Sequence, residues 1–288
     1  MIYAVGVVVA LWCAGIEIGV RHSVREIAAP LRRVGLLLRV ALVDVLMVPL
    51  IVWSLAKAVS VPSGYTTGLL LVGIASGGPL AINAAQLARA DAVIAVCLVV
   101  TLEVVNFAVI PFWAELLLPE GTTFSPAKIL LTLAAVVILP LAVGRIAGQR
   151  LSGLRARALR ALPIVANAAL VTAIAATLVR DGDVVVDAAG EHVPLVAGVT
   201  VAAALLLGWF AGGSDRKVRA STALVTGIRA NALALAIAAS SFPGRPDVRA
   251  AIVVFALFSI TLPLAASIVI GRRASHVPAP NVTPAEIG

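Results

Sequence analysis

The sequence predicts an all-α polytopic membrane protein with nine transmembrane helices. Its 288 residues are 61% hydrophobic and only 12% charged, and the mean hydropathy of +1.09 is higher than a water-soluble domain of this size carries. Apolar stretches of about 20 residues, the length that crosses about 30 Å of hydrocarbon, recur along the chain. No stretch between them is long enough for a soluble domain, so 1–288 is predicted to be a single membrane domain.

Each span is bounded by capping, turn or charged residues. The first span is predicted to be a retained helix and not a signal peptide, because it has no basic n-region and no small-residue cleavage site. Further along, Asp91, Ser125-Pro126, and Ser214 or Asp215 stand where helices are expected to begin. The predicted spans cover about 2–20, 35–57, 66–88, 91–118, 126–147, 158–179, 194–211, 217–240 and 248–271.

The Lys and Arg residues between the spans are distributed unevenly. With the amino terminus outside, 16 of them lie in cytoplasmic segments and five in outer segments, as the positive-inside rule requires. The chain is therefore predicted to lie in the cell inner membrane with its N-terminus outside and its C-terminus in the cytoplasm. The longest outer loop carries Asp181, Asp183, Asp187 and Glu191 and is predicted to be solvated, with a vestibule that collects cations as the alternative.

Several function classes are disfavoured by the residue types present. The basic residues lie in short loops and not on one face, so the net charge of +8 does not indicate nucleic acid binding. His22, His192 and His276 lie in loops or the tail, and neither a Gly-x-Ser-x-Gly nor a His-Glu-x-x-His motif occurs. Cys13 and Cys97 lie inside apolar runs and are interpreted as structural. The sequence predicts no enzyme, cofactor or bound metal.

Two of the predicted spans contain residues that interrupt a regular helix. The third contains Ser76-Gly77-Gly78-Pro79, in which glycine loosens the backbone and proline removes a hydrogen-bond donor. The eighth is interrupted by the polar run Thr226-Gly227-Ile228-Arg229-Ala230-Asn231. Because non-helical backbone at membrane depth survives only where protein or a water-filled cavity satisfies it, both breaks are candidate binding sites.

The two breaks occupy matching positions in the two halves of the chain. Gly77 and Gly227 are 150 residues apart, and Asn83 and Asn231 are 148 apart. An odd number of spans separates equivalent elements, so the two halves are predicted to have inverted topology. Interrupted helices at corresponding points of an inverted repeat indicate a transporter with its binding site near the bilayer midplane.

Several motifs of this chain resemble the bile acid:sodium symporter family. They are Gly15-Ile16-Glu17-Ile18-Gly19, Met47-Val48-Pro49, Gly77-Gly78-Pro79 with Leu87-Ala88-Arg89, and the run Gly227-Ile228-Arg229-Ala230-Asn231-Ala232-Leu233-Ala234. The resemblance covers nearly the whole chain and implies a panel domain (about 1–20 and 126–179) beside a core domain (about 35–118 and 194–271), with a short tail at 274–288. It also implies transport of a small organic anion by alternating access.

The chain departs from this family where sodium-coupled members hold their ions. The resemblance aligns Val225 and Arg229 with a glutamate and a glutamine of the second break, and Asp44 with a glutamine of span two. Other expected oxygen ligands fall on Ala81, Ile82, Ala95 and Val99. Since a hard cation needs several oxygen ligands, the resemblance implies degenerate sodium sites.

Arg229 is predicted to replace the sodium ion. An ionised side chain at bilayer depth costs about 2.5–3.5 kcal/mol and needs a partner, and Asp44 and Glu103 are the acidic residues well inside the spans. In one hypothesis Arg229 pairs with Asp44, with Glu103 as a further partner, and transport is sodium-independent. In a second, Asp44 or Glu103 titrates and transport is proton-coupled. In a third, the pair only fixes helix packing.

The candidate substrate site consists of residues in and beside the two breaks. Half-helix N-termini there would direct N–H groups and positive dipole ends at the crossing point, which favours an anion. The predicted partners are a small organic anion and the lipid bilayer; the oligomeric state stays open. Alternatives are a proton- or sodium-coupled symporter or exporter and, in another class, a non-transporting receptor or sensor. The predicted substrate-binding residues are Gly77, Gly78, Pro79, Asn83, Thr226, Gly227, Arg229 and Asn231.

Overall fold

The protein is helical throughout the part of the chain that can be described. The computed structural model describes residues 2–21, 33–118, 125–150 and 152–275, and within these ranges it contains no strand. The helices are α1 (Ile2–Arg21), α2 (Val34–Ala58), α3 (Ser63–Ile74), α4 (Leu80–Leu87), α5 (Ala92–Leu117), α6 (the consecutive segments Pro126–Leu133, Ala134–Ile138 and Leu139–Arg150), α7 (Ser152–Arg180), α8 (Gly182–Gly190), α9 (Val193–Ala211), α10 (Arg216–Gly227), α11 (Asn231–Ser241) and α12 (Pro246–Ser275).

The described helices make this a multi-pass membrane protein. Eight helical stretches of at least 18 residues are apolar enough to cross a membrane, and one of these comprises α10 and α11 together. The predicted third span is divided between α3, an apolar helix of 12 residues, and the short α4. The predicted third span is not among the eight. The Gly77-Gly78-Pro79 run follows the end of α3 and interrupts the span before α3 reaches the length that crosses a membrane. The count of nine stays a prediction, whereas the all-α membrane fold is confirmed.

Prolines and aspartates shape individual helices. Leu42–Met47 in α2 and Ala134–Ile138 in α6 are π-helical, and each segment is followed two residues later by a proline, which removes a backbone donor. The Asp91 carboxylate accepts from the first amides of α5 and the Asp215 carboxylate from those of α10. Ser125, also expected to cap, makes no side-chain cap bond.

α1 packs against α6 and α7 through small residues. A Cβ at Gly19 would lie 2.3 Å from the Leu141 carbonyl oxygen, and one at Gly144 would lie 2.3 Å from the Ile16 carbonyl oxygen. The backbones of α1 and α6 therefore approach more closely than any larger residue permits, as is common between helices in membranes.

The other long helices surround the second broken helix. α10 packs against α9, and α12 packs against both α3 and α9. In the stretch Arg216–Ser241 (α10 and α11), 89% of the most apolar window is buried inside the structure, against 22–61% in the other seven spans. The side chains of α10 and α11 therefore meet protein and not lipid, so they lie where a site enclosed by the fold can form.

The predicted solvated loop around residues 181–191 is wrong in two respects. Residues Gly182–Gly190 form the helix α8, and Asp181 is buried in an ion pair with Arg249, whose Nη2 lies 2.9 Å from the carboxylate. Arg249 is 68 residues away from Asp181 along the chain. The local charge pattern therefore does not indicate that Asp181 is buried while the neighbouring acidic residues are solvated.

Candidate functional site

The two helix breaks lie against each other. The Ala230 N–H donates to the Ala75 carbonyl (3.1 Å), and the Gly78 N–H donates to the Ile228 carbonyl (3.2 Å). Each break therefore satisfies backbone groups of the other, which non-helical backbone inside a membrane requires. The crossing lies at the junction of α3, α4, α10 and α11.

Glycines make this close crossing possible. Gly77 has a φ of +78°, a left-handed conformation that a side chain disfavours. A Cβ on Gly78 would lie 2.5 Å from the Arg229 carbonyl oxygen, so no larger residue fits there without a shift of the backbone. Pro79 follows immediately and precedes the first residue of α4. These three predicted residues therefore form the first half of the crossing.

Arg229 is a buried arginine at the centre of the crossing. Its guanidinium forms an ion pair with the Asp44 carboxylate of α2 and donates to the carbonyls of Gly73 (2.5 Å) and Val72 (3.4 Å). Asp44 also accepts a hydrogen bond from the Thr226 hydroxyl (3.1 Å). One side chain from the second break therefore joins α2 to the end of α3.

The surroundings of the guanidinium favour a positive charge. The last carbonyls of a helix lack partners within the helix and form the negative end of its dipole. Val72 and Gly73 belong to the last turn of α3, which ends at Ile74, so their carbonyls are of this kind. Asp44 is fully buried and Arg229 is 2% exposed; together they form a neutral cluster inside the protein.

Glu103 does not join this ion pair, contrary to the hypothesis that it is a further partner of Arg229. Among the described residues, the Arg229 guanidinium is in salt-bridge contact with Asp44 alone. Glu103 lies on α5 and is 8% exposed, and its Oε2 atom has no hydrogen-bond partner within the described part of the chain. The carboxyl instead faces a cavity beside Gly78 and Pro79.

The two predicted asparagines lie in different places. Asn231 begins α11 at the crossing, where its Nδ2 donates to the Ser259 hydroxyl (2.8 Å) and its Oδ1 has no partner among the described residues. Asn83 is exposed on α4 and lines a neighbouring cavity with Glu17 and Arg21, which form an ion pair of 2.7 Å. Only Asn231 therefore belongs to the crossing itself.

The remaining polar residues have mainly structural contacts. Thr226 is fully buried and bonds Asp44, and Gly227 ends α10 against the Leu205 side chain, 2.6 Å from where a Cβ would be. Asn106 of α5 accepts from the Ser76 hydroxyl (2.9 Å) and donates to the Ser76 carbonyl (2.9 Å). An amide within an apolar helix is the sequence signal for such a bond, but the sequence does not identify its partner across the bundle.

A cavity of about 50 Å³ lies between the crossing and the helices α1 and α7. It has room for a few water molecules and is mostly apolar. Its polar groups converge from the crossing, from α5 and from α7. It is lined by Ala10, Leu11, Ala14, Gly78, Pro79, Leu80, Glu103, Ala166, Asn167, Leu170, Ile228, Arg229, Ala230, Asn231, Ala232, Leu233 and Ile260.

The residues at the expected sodium positions do not fit a sodium ion. Ala95, Val99 and Val225 are fully buried and apolar, and they offer no side-chain oxygen to a hard cation. Arg229 donates to the carbonyls at the end of α3, which a bound cation would otherwise use. Within the described residues no group of three or more His, Cys, Asp or Glu side chains is placed to hold a metal ion.

Comparison with known proteins agrees with the motifs of the sequence. A family model described as the Sodium Bile acid symporter family matches residues 8–188, more than half of the chain. The matched range includes Asp44, the first break and Glu103, and it ends before the second break and Arg229. No curated protein matches the chain. The resemblance of the sequence to this family is confirmed.

Proposed function

The chain belongs to the sodium bile acid symporter family, and from this we propose that it carries a small organic anion across the membrane by alternating access without using sodium. The eight apolar spans among its described residues and its family make it a membrane transporter. The anion, the mechanism and the independence from sodium are the finer parts of the proposal. Each of them rests on a separate observation.

The Arg229–Asp44 ion pair carries the proposal of sodium independence. The guanidinium supplies a positive charge at the carboxylate and at the free carbonyls of α3. A mobile cation at this place would be repelled by the guanidinium and would find those carbonyls already bonded. The positions that would complete its coordination shell are buried alanine and valine residues.

The half-helix N-termini support an anionic substrate. The cavity at the crossing is lined by Leu80 at the start of α4 and by Asn231, Ala232 and Leu233 at the start of α11. The first amides of a helix lack partners within it and form the positive end of the dipole. The description of the family names bile acids, whose carboxylates or sulfonates suit such a site.

Alternating access requires two bodies that move against each other. We assign α1, α6 and α7 to a panel (about 1–20 and 126–179) and the remaining spans to a core (about 35–118 and 194–271), since α1 packs against α6 and α7. The cavity lies between α1 and α7 on one side and the two breaks on the other. We place the protein in the cell inner membrane with its N-terminus outside, on the distribution of Lys and Arg.

Uptake by proteoliposomes tests this function. Purified protein is reconstituted, and uptake of radiolabelled cholate, a bile acid, is measured with sodium and with sodium replaced by choline at equal ionic strength. We expect saturable uptake at the same rate in both solutions, because no sodium ion has to bind with the substrate. Vesicles without protein correct for leakage of the anion through the bilayer.

Two other outcomes have definite meanings. Uptake that collapses in choline would show that sodium is required and would reject the role given to Arg229. High-affinity binding of cholate without flux in either solution would favour a receptor or sensor over a transporter. The same assay with other small organic anions identifies the preferred substrate class.

A further inference from the structure

Glu103 is a buried acidic residue that has no ionic partner among the described residues, although its side chain shares a hydrogen bond with Asn106. It is 8% exposed, and its Oε2 atom is buried with no hydrogen-bond partner among the described residues. It lines both the cavity at the crossing and a second cavity between α1 and α6. An unpaired, ionised carboxyl is costly at this depth, so a residue in this place must gain a proton or a cationic partner.

Among the described residues that line the two cavities, none supplies an uncompensated charge that could neutralise Glu103. α1, α4, α6 and α12 line the two cavities with apolar residues and glycine, and α7 adds the neutral Asn167. The second break contributes the neutral Asn231 and also Arg229, whose charge is already balanced by Asp44. Asn106, one turn further along α5, hydrogen-bonds both Ser76 and the Glu103 side chain, but it is neutral and does not compensate a charge.

The charged residues that line the adjoining cavity are bonded to each other. Glu17 and Arg21 line the next cavity toward the cytoplasmic end of α1 and are bonded to each other at 2.7 Å. An ionised Glu103 would therefore give the cavity at the crossing a net negative charge. A second anion in that cavity would be repelled, and a proton on the carboxyl removes the repulsion.

We propose that Glu103 is the coupling site of the transporter, where one proton binds together with the organic anion and leaves with it. The carboxylate takes the proton from a hydronium ion, which becomes water: one O–H bond of the hydronium breaks, and one O–H bond forms on the now neutral carboxylic acid. On release the proton passes back to a water molecule, which becomes hydronium. This inference rests on the proposed transport of an anion. It makes a proton the coupling ion, in place of the sodium ion that the Arg229–Asp44 pair excludes.

Asp44 does not serve this purpose. Its carboxylate is bonded to the Arg229 guanidinium and to the Thr226 hydroxyl, so protonation would break two interactions and leave the guanidinium uncompensated. Glu103 loses no ion pair when it is protonated. The structure therefore separates the two carboxyls that the sequence leaves as equal candidates for proton coupling.

A path for the proton runs toward the cytoplasmic side. The cavity at the crossing and the cavity at Glu17 share five lining residues, which are Ala14, Pro79, Leu80, Ala166 and Asn167. The two spaces therefore adjoin, and a few ordered water molecules would connect the carboxyl of Glu103 to the inner end of α1.

The pH dependence of cholate binding tests the proposal. In the wild type, affinity should fall about tenfold per pH unit wherever the free carboxyl is ionised, because binding then requires uptake of one proton. Glu103→Gln, a neutral isostere of the protonated acid, should bind at high pH as tightly as the wild type does at low pH. Glu17→Gln removes a carboxyl that is already paired and should keep the wild-type pH dependence.

Two further measurements test the proposal, of which the first needs no variant and the second needs no ligand. When cholate is added to the wild type in weak buffer, the protein should take up about one proton per bound anion. Infrared difference spectra of the ligand-free protein between acid and alkaline pH should show a protonated-carboxyl C=O band that is lost in Glu103→Gln. Equal pH dependence of binding in both proteins, or binding without proton uptake, would overturn the proposal.

The failure of this inference is distinguishable from failure of the proposed function. If cholate does not bind at any pH, transport of bile-acid-like anions is rejected, and the infrared band then decides whether Glu103 is a proton site. Loss of the band in Glu103→Gln would still support that site. A wild-type spectrum with no band assignable to Glu103 would reject it whatever the protein transports.

Discussion

At the scale of single residues, the proposed function gives the guanidinium of Arg229 the place of a bound sodium ion, with an ion pair and hydrogen bonds supplied by the chain itself. A sodium ion binds and leaves, whereas Arg229 remains attached to α10 and α11. Its contacts with Asp44, Val72 and Gly73 are therefore available in every turnover. The proposed consequence is a crossing whose stability does not depend on the sodium concentration.

Removal of the Arg229 charge should destabilise the protein. Arg229→Met leaves Asp44 buried and uncompensated, so we expect a loss of about 3–5 kcal/mol in the free energy of unfolding, the usual effect of removing one partner of a buried pair. The measurement is the unfolding midpoint of the purified protein in detergent, followed by tryptophan fluorescence.

A double variant separates the charge from the packing. Arg229→Met combined with Asp44→Leu removes both charges and should recover much of the stability that the single variant loses, because no buried charge remains. Equal losses in the single and double variants would show that the loss comes from the missing packing and hydrogen bonds of Arg229 and not from an uncompensated Asp44 charge. Sodium should not raise the midpoint of the wild type in the same assay.

At the scale of elements, the two breaks are held together by small residues and by each other's backbone. Gly78→Ala places a methyl group 2.5 Å from the Arg229 carbonyl oxygen, so the breaks must separate and the hydrogen bond from Gly78 to Ile228 should weaken. We expect a lower unfolding midpoint and a loss of cholate uptake, since the cavity and the ion pair both depend on this contact.

Gly35→Ala is the matched control for this prediction. Gly35 lies on α2, and a Cβ there would meet no atom within 4 Å. The same substitution should stabilise the helix there by about 0.5–1 kcal/mol, because alanine is the better helix former. A Gly78→Ala protein that is as stable and active as Gly35→Ala would contradict the close packing of the breaks.

At the scale of the whole molecule, the sequence predicts the membrane fold and the positions of the breaks, because both follow from local composition. Long apolar stretches indicate the spans, and Ser76-Gly77-Gly78-Pro79 indicates the interruption of the third. The need of Arg229 for an acidic partner limits the candidates to Asp44 and Glu103, since acidic residues are rare inside spans.

The contacts between helices are harder to predict from the sequence. In a membrane, residues that face lipid are as apolar as residues that face protein, so hydrophobic periodicity does not show which helix faces meet. Three features depend on those faces: the pairing of Asp181 with Arg249, the bond of Asn106 to Ser76, and the lack of an ionic partner for Glu103 among the described residues.

The Asp181–Arg249 pair connects parts of the molecule that the proposed mechanism moves apart. Arg249 lies near the start of α12, and it contacts Asp181 between α7 and α8 at 2.9 Å and the ring of Tyr3 on α1, with its guanidinium 5.4 Å from the ring centre. α1 and α7 belong to the proposed panel and α12 to the core. On the proposed topology this buried pair lies at the outer end of their interface.

Loss of this pair should favour the outward-open state. In a protein without Cys13 and Cys97, a cysteine in place of Leu11 at the cavity is labelled from outside with a membrane-impermeant maleimide. Arg249→Gln should speed this labelling, because the closed outer interface loses an ion pair that the open state does not need. Arg245→Gln is the control: its 2.8 Å pair with Asp247 is largely exposed and contributes little. If both variants are labelled at the wild-type rate, the Asp181–Arg249 pair does not hold the outer side closed.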